Sequence, residues 1–141
     1  MNLFPSLNLG HVIDHELSAD DKDVKREIRN LFMRSNILIR RYSKCSTAGK
    51  LLLFKAYCLC LYDVGIWRNY SVIVFNKLRS GFNKFVEMFF GYDRRYSVTQ
   101  MLTELNLPCF DNFIAEIVNN FNARWVASSN HLVTHLCALQ L

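Results

Sequence analysis

The chain has 141 residues, of which 51% are hydrophobic, and 17 basic against 12 acidic side chains give it a net charge of +5. This length and apolar content allow one domain with a hydrophobic core and exclude an intrinsically disordered chain. Only two prolines and five glycines interrupt the sequence. The fold class predicted is therefore mainly α, a helical bundle of about five helices with one short N-terminal strand.

The start of the chain and its cysteines indicate the compartment. The first residues, M-N-L-F-P-S, lack the basic segment and the uninterrupted apolar run of a signal peptide. The five cysteines are odd in number and mostly lie in apolar surroundings, which is typical of reduced thiols rather than of a disulfide scaffold. We expect an intracellular protein, in the nucleus or the cytoplasm, and not a secreted one.

The pattern divides the chain into a strand segment (residues 1–17), a helical domain (residues 18–126) and a short C-terminal helix or tail (residues 127–141). In the first of these, L-G-H-V-I-D is typical of one short strand. A single strand is not stable alone, so it must pair with a further segment, either in this chain or in a partner.

The helical domain opens with a long helix that we expect to run from about Ser18 to Tyr42. Asp20 and Asp21 fall in its first turn, where carboxylates suit the positive end of the helix dipole. Nucleic-acid polymerases hold two metal ions with a Tyr-x-Asp-Asp box, but here Ser18 replaces the tyrosine and an amphipathic helix follows. We therefore interpret the two aspartates as a helix N-terminus.

One side of this first helix is apolar and an adjoining side is basic, as the helical period of about 100° per residue shows. The apolar side consists of Val24, Ile28, Leu31, Phe32, Ser35, Leu38, Ile39 and Tyr42. The basic side, which we call the basic stripe, consists of Lys22, Lys25, Arg26, Arg29, Arg40 and, if the helix continues, Lys44.

A second helix follows in the most apolar stretch of the chain. Ser46 or Thr47 can cap it. From Leu51 to Tyr62 every residue except Lys55 is apolar or a cysteine. Apolar side chains on all sides predict a helix that other helices surround. We expect this helix to form the centre of the core.

The rest of the chain predicts a bend and further helices. The bend covers about 63–70, with Gly65 as its flexible point. A third helix spans about 71–90 and ends at Gly91. The later signals are a Ser97-x-x-Gln100 capping box before a short helix, a fifth helix from about Phe110, and Asn130 as the cap of a last short helix.

The charges are distributed unevenly along the sequence. Between Ile28 and Lys84 the only acid is Asp63, against eleven bases, so this segment alone has a net charge of +10. A basic helix face is often merely solvated, but here the bases share one side and aromatic residues lie near them. The segment therefore indicates a polyanionic partner, contacted mainly through phosphates.

No motif for catalysis or metal binding is present. The sequence contains no P-loop, no G-x-S-x-G and no G-x-G-x-x-G. His131 and His135, like His11 and His15, have the spacing of a metal pair, but no acid or cysteine stands at ligand spacing from them. We predict no cofactor, no metal site and no catalysis by this chain alone.

Six segments between Leu9 and Arg124 resemble, in one colinear order, the reverse transcriptases of LINE-type (non-LTR) retrotransposons. They are L-G-H-V-I-D, D-D-K-D-V-K-R-E-I-R-N-L-F-M-R-S-N-I-L-I-R-R-Y-S-K-C-S, K-L-L-L-F-K-A-Y-C, Y-D-V-G-I-W, F-N-K-L-R-S-G-F-N-K-F-V-E-M-F-F-G and M-L-T-E-L-N-L-P-C-F-D-N-F-I. The order and length of the run carry the resemblance, since no one segment is diagnostic. In that family this region is similar to the helical thumb, which follows the catalytic palm and clasps the template–primer duplex.

The resemblance implies a truncated fragment of an RNA-directed DNA polymerase, without the fingers and without the palm that carries the catalytic aspartates. The N-terminal strand would be the last piece of the palm, and the missing palm would be a partner. The basic first helix would lie against the backbone of an RNA–DNA hybrid or duplex. The residues carried over for phosphate contact are Lys22, Arg26, Arg29, Arg34, Arg40, Arg41, Lys44 and Lys50, of which Arg34 and Arg41 lie off the basic stripe.

The function expected is thus non-catalytic binding of nucleic acid by a thumb-like fragment, with no membrane contact. One alternative is a helical protein-interaction module without nucleic-acid binding, in which the strand and the second helix are surfaces for a partner chain. A more remote alternative is a small membrane-associated protein that uses residues 51–67.

Overall fold

The computed structural model describes residues 7–8, 11–12, 20–59, 61–67 and 70–139, with the backbone alone described at 7–8, 11–12 and 62–63. Across these residues the protein is mainly α-helical, as predicted. A short 3₁₀ helix (Tyr62–Gly65) lies between the second and third helices. The α-helices are α1 (Asp21–Tyr42), α2 (Thr47–Tyr57), α3 (Val72–Phe90), α4 (Val98–Glu104), α5 (Phe110–Val126) and α6 (His131–Leu139).

The N-terminal segment forms a small hairpin where the sequence predicted one strand. Its strands are β1 (Leu7–Asn8) and β2 (His11–Val12), which pair antiparallel, with Leu7 opposite Val12. The strand partner that the sequence left open is therefore the same chain. Residues 1–6, 9–10 and 13–17 of the predicted strand segment lie outside the described residues.

The centre of the core is α3. Its pattern predicts one apolar side, and the structure confirms it: Leu78 and Val86 are fully buried, and Phe82 is only 1% exposed. α3 packs chiefly against α1 and also contacts α2 and α5. Aromatic rings join these helices: the centre of the Phe82 ring lies 5.5 Å from that of Phe54 in α2 and 5.2 Å from that of Phe110 in α5.

The prediction that the second helix forms the buried centre is wrong. α2 ends at Tyr57 instead of Tyr62, and Phe54 is its one buried side chain. Leu52 is 73% exposed. α2 lies at the edge of the bundle, beside the end of α1, to which a turn of residues 43–46 joins it. Within the described residues, no helix combines the length and the apolar character needed to cross a membrane.

Most of the predicted helix ends are confirmed. Ser46 caps α2 by accepting a hydrogen bond from Gly49 N–H, and Ser71 caps α3 by accepting one from Val74 N–H. Gly91 ends α3 in the left-handed region, at φ 79°. Asn130 Oδ1 accepts a hydrogen bond from Leu132 N–H at the start of α6. The predicted capping box is only partly realised, because Ser97 precedes α4 without a side-chain capping bond.

Gly65 has a different role from the flexible point that the sequence predicted. It is the last residue of the 3₁₀ helix and is buried against α5. A Cβ added there would lie 2.7 Å from Cβ of Phe121. Glycine is therefore required for the close approach of this segment to α5.

Candidate nucleic-acid interface

Helix α1 directs one face to the core and the opposite face to solvent. Val24, Leu31 and Leu38 are buried on the inner face, and α3 is the main neighbour of the helix. Arg29 and Arg40 are exposed on the outer face. Apolar residues at helical spacing thus fix the rotation of α1 and direct these two arginines outward.

Arg26, which the sequence placed on the basic stripe, is held by acids of its own helix. Its Nη2 lies 2.7 Å from Asp23 Oδ1 and 3.4 Å from Glu27 Oε1. Asp23 is fully buried, and its Oδ2 accepts a 2.7 Å hydrogen bond from Trp67 Nε1. A buried carboxylate requires such partners. Arg26 keeps its position on the basic stripe, but its charge is paired with these acids; the i, i+3 spacing from Asp23 was the sequence signal for the ion pair.

The paired aspartates belong to a helix N-terminus, as interpreted from the sequence. α1 begins at Asp21, directly after Asp20. Oδ1 of Asp21 accepts a 2.6 Å hydrogen bond from the backbone N–H of Ser71. This bond ties the N-terminus of α1 to the start of α3. It therefore helps to fix the orientation of α1 on the bundle.

The outer face of α1 carries two basic ends separated by a non-basic middle. Lys22 and Arg29 lie toward its N-terminus, and Arg40 lies about 16 Å further along the axis. The exposed Met33 and Asn36 stand between them. Among the described residues, no carboxylate lies within ion-pair distance of Arg29 or Arg40. These arginines are available for an external anion.

The remaining predicted contact residues are dispersed around the junction of α1 and α2. Lys44 is exposed in the turn between the two helices. Nζ of Lys50 lies 5.5 Å from the centre of the Phe89 ring, a cation–π contact that draws it toward the core. The eight predicted residues therefore do not form one surface.

Arg34 and Arg41 lie together on the side of α1 that faces α2. Nη1 of Arg34 donates a 3.4 Å hydrogen bond to the carbonyl oxygen of Tyr57, the last residue of α2. Arg41 is exposed and lines the same pocket as Arg34. These two residues, which lie off the basic stripe, thus line one pocket on another side of α1.

Tertiary contacts reduce the segmental charge that the sequence suggested. Arg79 donates to Oδ1 of Asp111, with Nη2 at 2.6 Å, and so links α3 to α5. Nζ of Lys84 lies 2.6 Å from Oε1 of Glu87. Both acids lie beyond the acid-poor segment. Tertiary folding brings Asp111 to Arg79, whereas Glu87 pairs with Lys84 within α3 at i, i+3 spacing. A charge sum over sequence therefore overstates the field of this face.

A groove of about 740 Å³ runs between α1 and α3. Its apolar lining includes Ile28, Phe32 and Ile73, and Lys77 and Lys84 border it. Phe32, predicted to face the core, is 51% exposed. The sequence did not predict this groove, because its two sides come from separate helices and its depth depends on their packing.

Within the part of the chain that the structure describes, no group of three or more His, Cys, Asp or Glu residues could hold a metal ion. His131 and His135 are exposed on α6. The side chains of His11 and His15, the other pair with this spacing, lie outside the described residues. The chain matches no family model, no curated protein and no solved structure.

Proposed function

We propose that this helical bundle binds the backbone of a nucleic-acid duplex or RNA–DNA hybrid, as a thumb-like element of a reverse transcriptase. The observation that supports the proposal is the outer face of α1, on which Arg29 and Arg40 are exposed without a carboxylate partner among the described residues. A helix presents both charges, so little backbone order has to be gained on binding, and the ordering cost is confined to the arginine side chains.

The chemistry of this face suits phosphates better than base edges. A duplex carries about one negative charge per 1.7 Å of its axis, so two cations about 16 Å apart meet phosphates at almost any register. Such contacts position a protein on the duplex without reading sequence. The exposed Met33 between the two basic ends adds an apolar surface that can lie over sugars.

Binding of a labelled RNA–DNA hybrid, measured by fluorescence anisotropy over a salt series, tests the proposal. The affinity should fall steeply with salt, because each phosphate contact releases counterions. Arg29→Gln and Arg40→Gln should each weaken binding and reduce the slope of log K against log salt by about one contact. Binding that is indifferent to salt, or absent at low salt, would contradict the proposal.

Arg79→Gln is the matched control. It removes one positive charge, as Arg29→Gln and Arg40→Gln do, but Arg79 lies on α3 and is paired with Asp111 of α5. The hybrid affinity and the salt slope should therefore stay close to those of the unchanged protein. If Arg79→Gln weakens binding as much as Arg40→Gln does, total charge rather than the outer face of α1 is responsible.

A second candidate function is a protein-interaction module. It is favoured by a leucine stripe on α6, where Leu132, Leu136 and Leu139 are all exposed and no residue of the helix is buried. Leu132→Ser with Leu136→Ser should abolish capture of a partner chain while leaving nucleic-acid binding intact. Arg29→Gln with Arg40→Gln should do the opposite, so the two variants distinguish the candidates.

A further inference from the structure

A pocket of about 220 Å³ lies where the C-terminal half of α1 meets the C-terminal end of α2. It is smaller than the roughly 300–1,000 Å³ of pockets that enclose drug-sized ligands, so it suits one ring-shaped group. Its lining is basic, aromatic and apolar, without an acid: Arg34, Ile37, Leu38, Arg41, Tyr42 and Tyr57.

The two arginines are placed to hold an anion. They are seven residues apart on α1, about two helical turns, and so lie on the same side of the helix. Arg34 has five N–H donors and uses one of them on the Tyr57 carbonyl oxygen, at 3.4 Å. Arg41 has no carboxylate within ion-pair distance among the described residues. A phosphate here would meet several guanidinium donors and no opposing charge.

The aromatic wall of the pocket is a free ring face. Tyr57 is 56% exposed, and within the described residues it stacks on no other aromatic side chain. The exposed Ile37 extends the apolar surface beside it. A planar ligand can therefore stack on Tyr57 while its anionic part reaches the arginines.

We propose that this pocket binds one unpaired nucleotide, with its base stacked on Tyr57 and its phosphate held by Arg34 and Arg41. Base stacking on an aromatic side chain next to basic groups is how proteins hold single strands without sequence preference. This inference rests on the proposed function, because it adds an unpaired nucleotide at a strand end to the duplex that the protein would bind.

The position of the pocket relative to the outer face of α1 supports a strand end as the source of this nucleotide. Arg34 and Arg41 lie roughly 100–120° around the helix from Arg40, and Ile37 lies between the two directions. A duplex that contacts the outer face would leave its unpaired end to cross Ile37 and reach Tyr57. The two sites then take paired and unpaired parts of one molecule.

The test compares a blunt hybrid duplex with the same duplex carrying a short single-stranded overhang, by anisotropy at one salt concentration. The unchanged protein should bind the overhang substrate more tightly. Tyr57→Leu should lower the affinity for the overhang substrate roughly 5- to 100-fold. Its affinity for the blunt duplex should stay within about twofold of that of the unchanged protein. Tyr57→Phe keeps the ring and should retain the preference. Equal losses on both substrates would overturn the proposal.

Neighbouring arginines provide the matched charge control. Arg41→Gln should lower the affinity for the overhang substrate selectively, whereas Arg40→Gln should lower the affinity for both substrates alike. If the overhang confers no advantage while the blunt duplex binds, the pocket proposal fails and the proposed function stands. If neither substrate binds at low salt, both fail.

Competitors identify the source of the ligand. Adenosine monophosphate should abolish the tighter binding of the overhang substrate relative to the blunt duplex. A large molar excess over the overhang substrate should be needed if the pocket takes strand ends, and a roughly equal concentration should suffice if it takes free nucleotides. If it leaves the advantage intact at every concentration, the proposal is overturned. If phosphotyrosine competes better than the nucleotide, the pocket is a phosphopeptide site and the proposal is wrong.

Discussion

Helices α2 and α3 are both rich in apolar residues, yet they have opposite fates in the fold. α3 buries seven residues and contacts three other helices, whereas α2 buries only Phe54 and leaves Leu52 largely in solvent. The difference shows that apolar content does not decide which helix is central. The two helices also differ in the connection that precedes each of them.

The connections before the two helices differ in length and in the bonds that hold them. Only residues 43–46 separate α1 from α2, so α2 must stay beside the end of α1. A longer connection, residues 58–71, leads to α3 and is fixed by Trp67 and Ser71, which bond to Asp23 and Asp21 of α1. This connection lets α3 lie along α1 and bury a whole face.

The largest expected effect comes from one apolar truncation in each helix. Phe82→Ala should cost about 3–5 kcal/mol of unfolding free energy, because it opens a cavity among the rings of Phe54 and Phe110. Leu52→Ala should change stability by less than about 0.5 kcal/mol. Urea unfolding followed by circular dichroism measures both. Similar losses would place α2 in the core and break the comparison.

A smaller effect should follow from loosening the connection that leads to α3. Trp67→Phe removes the N–H that Asp23 Oδ2 accepts in the core, and should cost roughly 1–3 kcal/mol. Trp125→Phe is the control, because Nε1 of Trp125 is buried and has no hydrogen-bond partner among the described residues. Thermal unfolding should separate the two variants. If Trp125→Phe is the more harmful, the bond to Asp23 does not stabilise the connection.

Local capping should be alike in the two helices, although their burial is not. Ser46→Ala and Ser71→Ala each remove a hydroxyl that accepts a backbone N–H at 3.3 Å. Each should cost about 1 kcal/mol, the usual value of an N-cap. Urea midpoints of the two variants test this. A much larger loss at Ser71 would mean that its hydroxyl supports the joint with α1 as well as the cap.

The smallest effect concerns the loop that joins α3 to α4. Tyr92 donates a 3.1 Å hydrogen bond to Oε2 of Glu104, and Tyr96 donates to Oε1 of the same carboxylate. Partial burial and then the bond to Glu104 raise the pKa of Tyr92, and chiefly the bond to Glu104 raises the pKa of Tyr96, from the ordinary 10.0. Because the folded state favours the neutral phenols, their contribution is complete below pH 10 and is lost as pH rises through the raised pKa values.

Tyrosinate absorbance during an alkaline titration measures this. Tyr92 and Tyr96 should ionise above the ordinary pKa of 10.0, and Glu104→Gln should lower both pKa values toward it. The stability that Glu104→Gln removes should be lost from the unchanged protein as pH rises above 10. An unchanged titration in Glu104→Gln would exclude the shared carboxylate as the cause.

Much of the local structure could be predicted from the sequence because its causes are local. Ser46, Ser71 and Gly91 mark helix ends through bonds and backbone angles that involve only neighbouring residues. The one-sided pattern of α3 likewise shows which residues it buries. The mainly helical class follows from the same signals, repeated along the chain.

The candidate site was predicted less well, since charge on a helix wheel does not reveal what lies beside it. Arg26 was assigned to the basic stripe, but the burial of Asp23 by Trp67 makes it an internal ion pair. Arg34 and Arg41 were set apart from that stripe and were carried over for phosphate contact by the resemblance alone. Only the return of α2 to the side of α1 brings Tyr57 to them and forms a pocket.

The sequence by itself determined most of the helix ends and most of the apolar faces of α1 and α3, because these depend on contacts within a few turns. The tertiary structure decided which helix is central, which basic side chain pairs with a distant acid and where a pocket forms. Those outcomes depend on the lengths of connections and on side chains far apart in sequence, such as Asp23 with Trp67 and Arg79 with Asp111.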